Sequence, residues 1–206
     1  MNEASLIGLF VATVSFGALL YLAALGELLA EKAGVLNLGV EGMMAIGAVT
    51  AFIAGVELKN PWAALAVAMV SGAALASVHG FFTVALGAEQ VVSGLSLTIL
   101  GVGLAAYLGK NYVGLPPGAE LKPVQWSGLS DLPWVGPIFF NQAPIVYLAL
   151  LMGVAVSLVL TNTRLGLALR AAGESASSTD SAGHSVLGLR LSAVAAGGAL
   201  AGASGA

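Results

Sequence analysis

Polar residues interrupt this chain at so few places that they divide it into six long apolar runs. The runs extend from about Ala4 to Leu25, Ala33 to Val56, Trp62 to Leu86, Val91 to Gly109, Pro144 to Leu160 and Leu189 to Ala206. Each is near the length that a helix needs to cross a hydrocarbon layer about 30 Å thick, roughly 20 residues. The pattern predicts an all-α, polytopic transmembrane helix bundle, one membrane-spanning domain over residues 1–206. Gly, Ala and Ser are dense in the third and fourth runs, and such small residues let helix backbones approach closely in a bilayer. The last run reaches Ala206 with no polar flank, so the expectation is a sixth helix cut short. Its Gly197, Gly198, Gly202 and Gly205 would then form a packing face awaiting a later helix.

Two interruptions are longer than turns. Residues 110–143 hold Pro116, Pro117, Pro123, Pro133 and Pro137 with Tyr112, Trp126 and Trp134, and read as an external loop whose aromatic side chains lie at the membrane interface. Residues 162–188 carry Arg164, Arg170, Glu174, Asp180 and His184. Alternating spans put Lys32, Arg164, Arg170 and Arg190 on one side, and Lys59, Lys110 and Lys122 on the other. All the arginines fall in or beside residues 162–188, which places that segment in the cytoplasm and the N-terminus outside.

The most informative stretch is Gly26–Met44, GELLAEKAGVLNLGVEGMM, which drives a carboxylate into the second apolar run. With a helix beginning near Ala33, Glu41 would lie about 12 Å inside it, close to the midplane of the layer. A charge at that depth costs at least ~2.5 kcal/mol on insertion scales, so such a residue faces a bundle interior or a wet cavity. Asn37, four residues earlier, would share its helix face. Gln90 and Ser93, at the start of the fourth run, either face the same path or cap their helix. Glu27 and Glu31 are explained by a solvated turn, and His79 by a hydrogen bond between helices or by a substrate contact.

Composition agrees with the runs: 58% of residues are hydrophobic and 8% charged, against about 25% charged in ordinary soluble domains. A net charge of -3 on so few ionisable groups leaves no basic surface for nucleic acid. Cysteine is absent, which excludes disulfides and thiolate metal sites, and no cofactor is expected. Glycine motifs fail their context. Gly101-Val102-Gly103 lies inside an apolar run with no preceding strand, unlike a dinucleotide fingerprint. Gly202-Ala203-Ser204-Gly205 imitates the nucleophile motif of intramembrane serine proteases, but a serine nucleophile needs a base within reach, and His79 and His184 both precede it.

Three stretches carry a resemblance: GELLAEKAGVLNLGVEGMMAIGA, EQVVSGLSLTILGVGLAAYLG and TRLGLALRAAGES. In this order they resemble the signatures of bacterial ABC importer permeases that serve branched-chain amino acids, simple sugars and nucleosides, with wording nearest the nucleoside and simple-sugar branch. The resemblance covers about Gly26 to the end and corresponds to the N-terminal two thirds of such a permease. It implies a multi-pass protein of the cell's inner membrane, a second permease subunit, ATP-binding cassette subunits and an extracytoplasmic solute-binding lipoprotein. This chain departs from the pattern where Ser175–Ser181 replaces an Ala-rich helical stretch and His184 replaces an aliphatic residue.

A permease without a nucleotide site of its own needs a stiff element seated on its ATPase. Thr163–Ala172 is rich in helix formers, Arg164 and Arg170 offer bidentate donors to a partner's carboxylates, and Gly173 would close the turn. The candidate coupling residues are therefore Arg164, Leu167, Arg170, Gly173 and Glu174, and the candidate path residues Asn37, Glu41, Gln90 and Ser93. The other reading of residues 162–188 is a short solvated connection whose arginines only anchor topology. Amides and hydroxyls at Asn37, Gln90, Ser93 and Thr98 suit a nucleoside or simple sugar better than an amino acid. An ion-coupled carrier using Glu41, and more remotely an intramembrane protease, are the competing classes.

Overall fold

The computed structural model describes residues 2–206. The order is α1 (Glu3–Lys32), α2 (Val40–Leu58), α3 (Pro61–Gly80) continued by a π-helical turn (Phe81–Ala85), and α4 (Gln90–Gly109). Then follow β1 (Val124–Gln125), α5 (Val135–Phe139), β2 (Asn141–Gln142), α6 (Pro144–Asn162), α7 (Arg164–Glu174), α8 (Ala176–Ser181) and α9 (Val186–Gly205). Among the described residues, six helices are long and apolar enough to cross a membrane: α1, α2, α3 with its π turn, α4, α6 and α9. The chain is thus an all-α, multi-pass membrane protein.

Local chemistry sets the helix starts. Asn60 accepts from the amides of Trp62 and Ala63 ahead of Pro61, whose missing N–H costs nothing at a first-turn position. Glu89 caps α4 by accepting from Val91 and Val92 at 3.1 and 2.6 Å, so Gln90 and Ser93 are free for other work. Ser175 caps α8. The Ser-rich run is helical, and Thr179 and Ser181 turn their hydroxyls to the carbonyls of Ser175 and Ser177, four residues back.

Helix α9 is the post around which the others stand. It buries Val194, Gly197, Gly198, Leu200, Ala201, Gly202, Ala203 and Ser204. Gly197 lies against Gly26 of α1, Gly198 against Gly72 of α3, Gly202 against Gly47 of α2, and Gly205 against Met44. At each approach a Cβ would overlap a backbone carbonyl or Cα. The glycine face of the last helix is therefore filled by α1, α2 and α3, and the expectation that it awaits a later helix is corrected: backbone-to-backbone packing with three earlier helices uses it up. Two hydroxyl contacts add polar ties between helices, Ser204 to the Leu19 carbonyl at 2.7 Å and Thr50 with Ser71 at 2.8 Å.

Leu22, Leu25, Leu29, Val156, Leu160 and Leu200 join α1, α6 and α9. Val35, Met43, Ile46, Leu75, Leu97 and Val194 join the α1–α2 connection to α2, α3, α4 and α9. At one end of the bundle Trp134 donates to Glu3 at 2.8 Å and Tyr112 to Glu57 at 3.2 Å, so residues 110–143 fold back over the helix ends. Lys32, α7, α8 and the start of α9 gather at the other end.

Replacing Gly72 by Leu should force α3 from α9 and lower the thermal unfolding midpoint in detergent, since overpacking costs about 1–3 kcal/mol. Gly103→Ala, where a Cβ meets nothing within 4 Å, should leave the midpoint unchanged or raised. Equal midpoints for Gly72→Leu and the parent would contradict this packing.

Candidate functional site

The second apolar run does not enter the bundle as a helix at Ala33. Helix α1 ends in a Schellman closure: the Gly34 amide donates to Glu31 at 2.9 Å, the Val35 amide to Ala30 at 3.0 Å, and Gly34 takes φ +85°. Val35 and Ala30 are buried in one cluster, the apolar contact that accompanies such a stop. The chain then runs without helix to Gly39, and α2 begins at Val40. The expected polar stripe of Asn37 and Glu41 on one helix face is corrected: Asn37 precedes the helix and Glu41 stands in its first turn. The signal was present as Lys32-Ala33-Gly34, a cation and then a glycine at the end of a helical run.

A non-helical stretch among apolar helices must find partners for its backbone, because lipid offers none. Side chains supply them here. Gln90 accepts from the Leu36 amide at 2.7 Å and donates to the Gly34 carbonyl at 3.5 Å. Glu27 accepts from the Asn37 amide at 2.9 Å, and Asn37 turns its own Oδ1 to the Gly39 amide at 3.0 Å. Thr98 donates to the Leu38 carbonyl at 2.9 Å, and Arg190 to the Ala33 carbonyl at 3.1 Å.

His79, fully buried on α3, contacts the Leu36 carbonyl through Nε2 at 3.1 Å and the Ser93 hydroxyl through Nδ1 at 3.0 Å. A carbonyl only accepts, so Nε2 carries the proton, and a neutral ring then accepts from Ser93 at Nδ1. His79 is thus a bonded interhelical residue. With both ring nitrogens engaged, and Ser204 bonded to Leu19, the structure assembles no serine–histidine pair at the Gly202–Gly205 motif.

On the other side of the segment opens a cavity of about 440 Å³ whose polar lining is Glu27, Glu31, Asn37, Glu41 and Thr98. Gly42 lies against Leu97 and Thr98, seven residues along α4 from Gln90, which puts Glu41 about 11 Å from the start of that helix. The segment that leads to Glu41 is non-helical, where the sequence suggested a helix. Glu41 is exposed, and its place in the first turn of α2 sets the carboxylate at the positive end of a helix dipole. Glu27 is half-buried, and its Oε2 finds no partner among the described residues. Of the four path candidates, Asn37 and Glu41 line the cavity, while Gln90 and Ser93 brace its wall from behind. Sequence reasoning missed Glu27, which it left in a solvated turn, and Arg190, which it used only for topology.

Helix α7 begins on Thr163, whose hydroxyl accepts from the Gly166 amide at 3.0 Å. Gly166 allows the sharp departure from α6, since a Cβ there would strike Val159 and Leu160. Ala168, Leu169 and Ala172 are buried against the bundle, while Arg164, Leu165, Leu167 and Glu174 are exposed. Arg170 is only half-exposed, with its Nε buried and unpaired among the described residues. Gly173 does not close a turn, as expected, but sits within α7 and lets it touch Lys32 and Gly34.

Residues 9–206 match the family described as the permease component of the branched-chain amino acid transport system. A Haloferax volcanii protein, provisionally named a glucose ABC transporter permease, is 43% identical over 204 residues, covering 97% of this chain and 61% of its own. A guanosine ABC transporter permease of Bacillus subtilis is 32% identical over 193 residues, covering 87% and 60% respectively. A nucleoside ABC transporter permease of Lactococcus lactis is 29% identical over 221 residues, covering 100% of this chain and 68% of its own. No solved structure gives a significant match. The chain spans about 60% of the length of the first two relatives. With the family matched over nearly the whole sequence and six apolar helices to bear it, this chain belongs to the branched-chain amino acid transport system permease family.

Proposed function

We propose that this chain is the membrane-spanning permease of an ATP-driven importer, moving a small hydroxyl-rich solute of the simple-sugar or nucleoside kind across the inner membrane. In this reading it pairs with a second permease subunit and receives solute from an extracytoplasmic lipoprotein. ATP-binding cassette subunits drive it from the end that bears α7, which is the cytoplasmic end. The observation that carries the reading is α7 itself. Its inner face is buried against the bundle, while Arg164, Leu165 and Leu167 in its first turn are exposed with no described residue to cover them. Exposed leucines beside an arginine suit a partner groove better than open water. The relatives named for glucose and guanosine transport favour the solute class. So does the cavity, whose Glu27, Glu31 and Glu41 would repel an anion while accepting from hydroxyls.

Arg164→Glu is the direct test, because the residue is exposed and its reversal spares the fold. In vesicles holding the assembled importer, ATP-dependent uptake should fall by at least about tenfold, as like charge at a docking surface costs several kcal/mol. Uptake equal to the parent's would remove α7 from the docking surface. Arg170→Glu should additionally lower protein yield, since that side chain is half-buried.

A second reading, an ion-coupled carrier, rests on the exposed Glu41 carboxylate at the cavity. Glu41→Gln separates the two. An ATP-driven permease should keep a substantial fraction of its uptake with this near-isosteric amide. Complete loss, in a variant that still assembles with its ATPase, would favour a charge-carrying role.

A further inference from the structure

The end of α7 and the segment that walls the cavity are fastened to each other by one side chain. Arg190, one turn into α9, donates through Nη2 to the Ala172 carbonyl in the last turn of α7 at 2.9 Å, and through Nε to the Ala33 carbonyl at 3.1 Å. Ala33 is where α1 stops, and four residues on is Asn37, in the cavity wall. Around the guanidinium, Ala33, Leu169 and Ala193 form a small buried cluster of their own, and Gly173 presses against Lys32 and Gly34. A Cβ on Gly34 would stand 3.0 Å from Gly173 Cα and 3.1 Å from Arg190 Nη2, so the joint has no slack.

We propose that Arg190 is a positioning residue that transmits the displacement of α7 to the Gly34–Gly39 wall of the cavity. This rests on the reading of α7 as the ATPase contact given above. The physical reason lies in what holds each part. Helix α7 is a short rod with a free outer face, so force on it passes into the bundle through its inner contacts. The wall is not locked by a backbone ladder; it hangs on side chains of Glu27, His79, Gln90 and Thr98, each of which has rotatable bonds. An element held this way can move only as those side chains re-pair with it, and a shift of α7 pulls on Ala33, the residue at its entry. The planar guanidinium fork suits this task, since it engages two carbonyls at once in fixed geometry.

The test uses the parent permease reconstituted with its cassette subunits and solute receptor, with radiolabelled glucose and guanosine as separate probes, and measures uptake and ATP hydrolysis together. Arg190→Gln and, independently, Arg190→Lys, which keeps the charge but not the planar fork that spans two carbonyls, should leave assembly and ATP hydrolysis near parental while uptake per ATP falls at least about fivefold, the lower range of coupling between sites. A residue that only stabilised the fold would lower both activities together and leave the ratio unchanged. An unchanged ratio in the assembled variants would overturn the proposal. So would failure of both variants to assemble, which would assign the joint to folding. If the parent assembly shows no ATP-dependent uptake of either probe, the reading of α7 fails and this inference with it.

Discussion

A peptide backbone that passes among apolar helices in a membrane must have its N–H and C=O groups satisfied, and between Gly34 and Gly39 there is no helix to do so. The arrangement of side chains around this segment follows from that constraint. Glu27 on α1, His79 on α3, Gln90 and Thr98 on α4 and Arg190 on α9 each turn inward to a backbone group of the segment or of Ala33 beside it. The polar side chains that would be costly elsewhere in the bundle are the ones this break requires. His79, Gln90 and Arg190 do not line the cavity, whereas Glu27 and Thr98 both hold the segment and line the cavity beside Asn37 and Glu41.

The bundle makes such a break tolerable by being rigid around it. Glycine contacts between α9 and α1, α2 and α3 bring backbones together without intervening side chains, so the helices that carry the bracing residues are fixed to one another. The same post, α9, bears Arg190 near its start, which places the cavity wall and the inner face of α7 on one support. The cavity wall and α7 are therefore held by the same helix packing.

The helices were legible in the sequence because apolar runs bounded by charge need no tertiary information; α3, α4 and α6 fall within a few residues of the runs that announced them. The break after α1 was marked only by Lys32-Ala33-Gly34 and Gly39, and was passed over because Val35, Leu36 and Leu38 are as apolar as a helix. Glu41 was singled out by its charge in an apolar run and does line the cavity, while Asn37 was paired with it on a helix face that does not exist. Glu27 and Arg190 could not be found by pattern, since each sits at the edge of an apolar run where a charge is unremarkable, and their partners are backbone atoms distant in sequence. The glycines of α9 announced close packing, but not which helices would meet them.

Whether side chains satisfy the backbone of the Gly34–Gly39 segment is tested directly by amide hydrogen exchange measured on the peptides covering it. The amides of Leu36, Asn37 and Gly39 donate to Gln90, Glu27 and Asn37, so they should exchange slowly, at rates near those of the adjoining turns of α1 and α2. Gln90→Leu should raise the exchange at Leu36 selectively. Exchange across the segment as fast as in an exposed loop of the same protein, such as residues 113–123, would contradict the account.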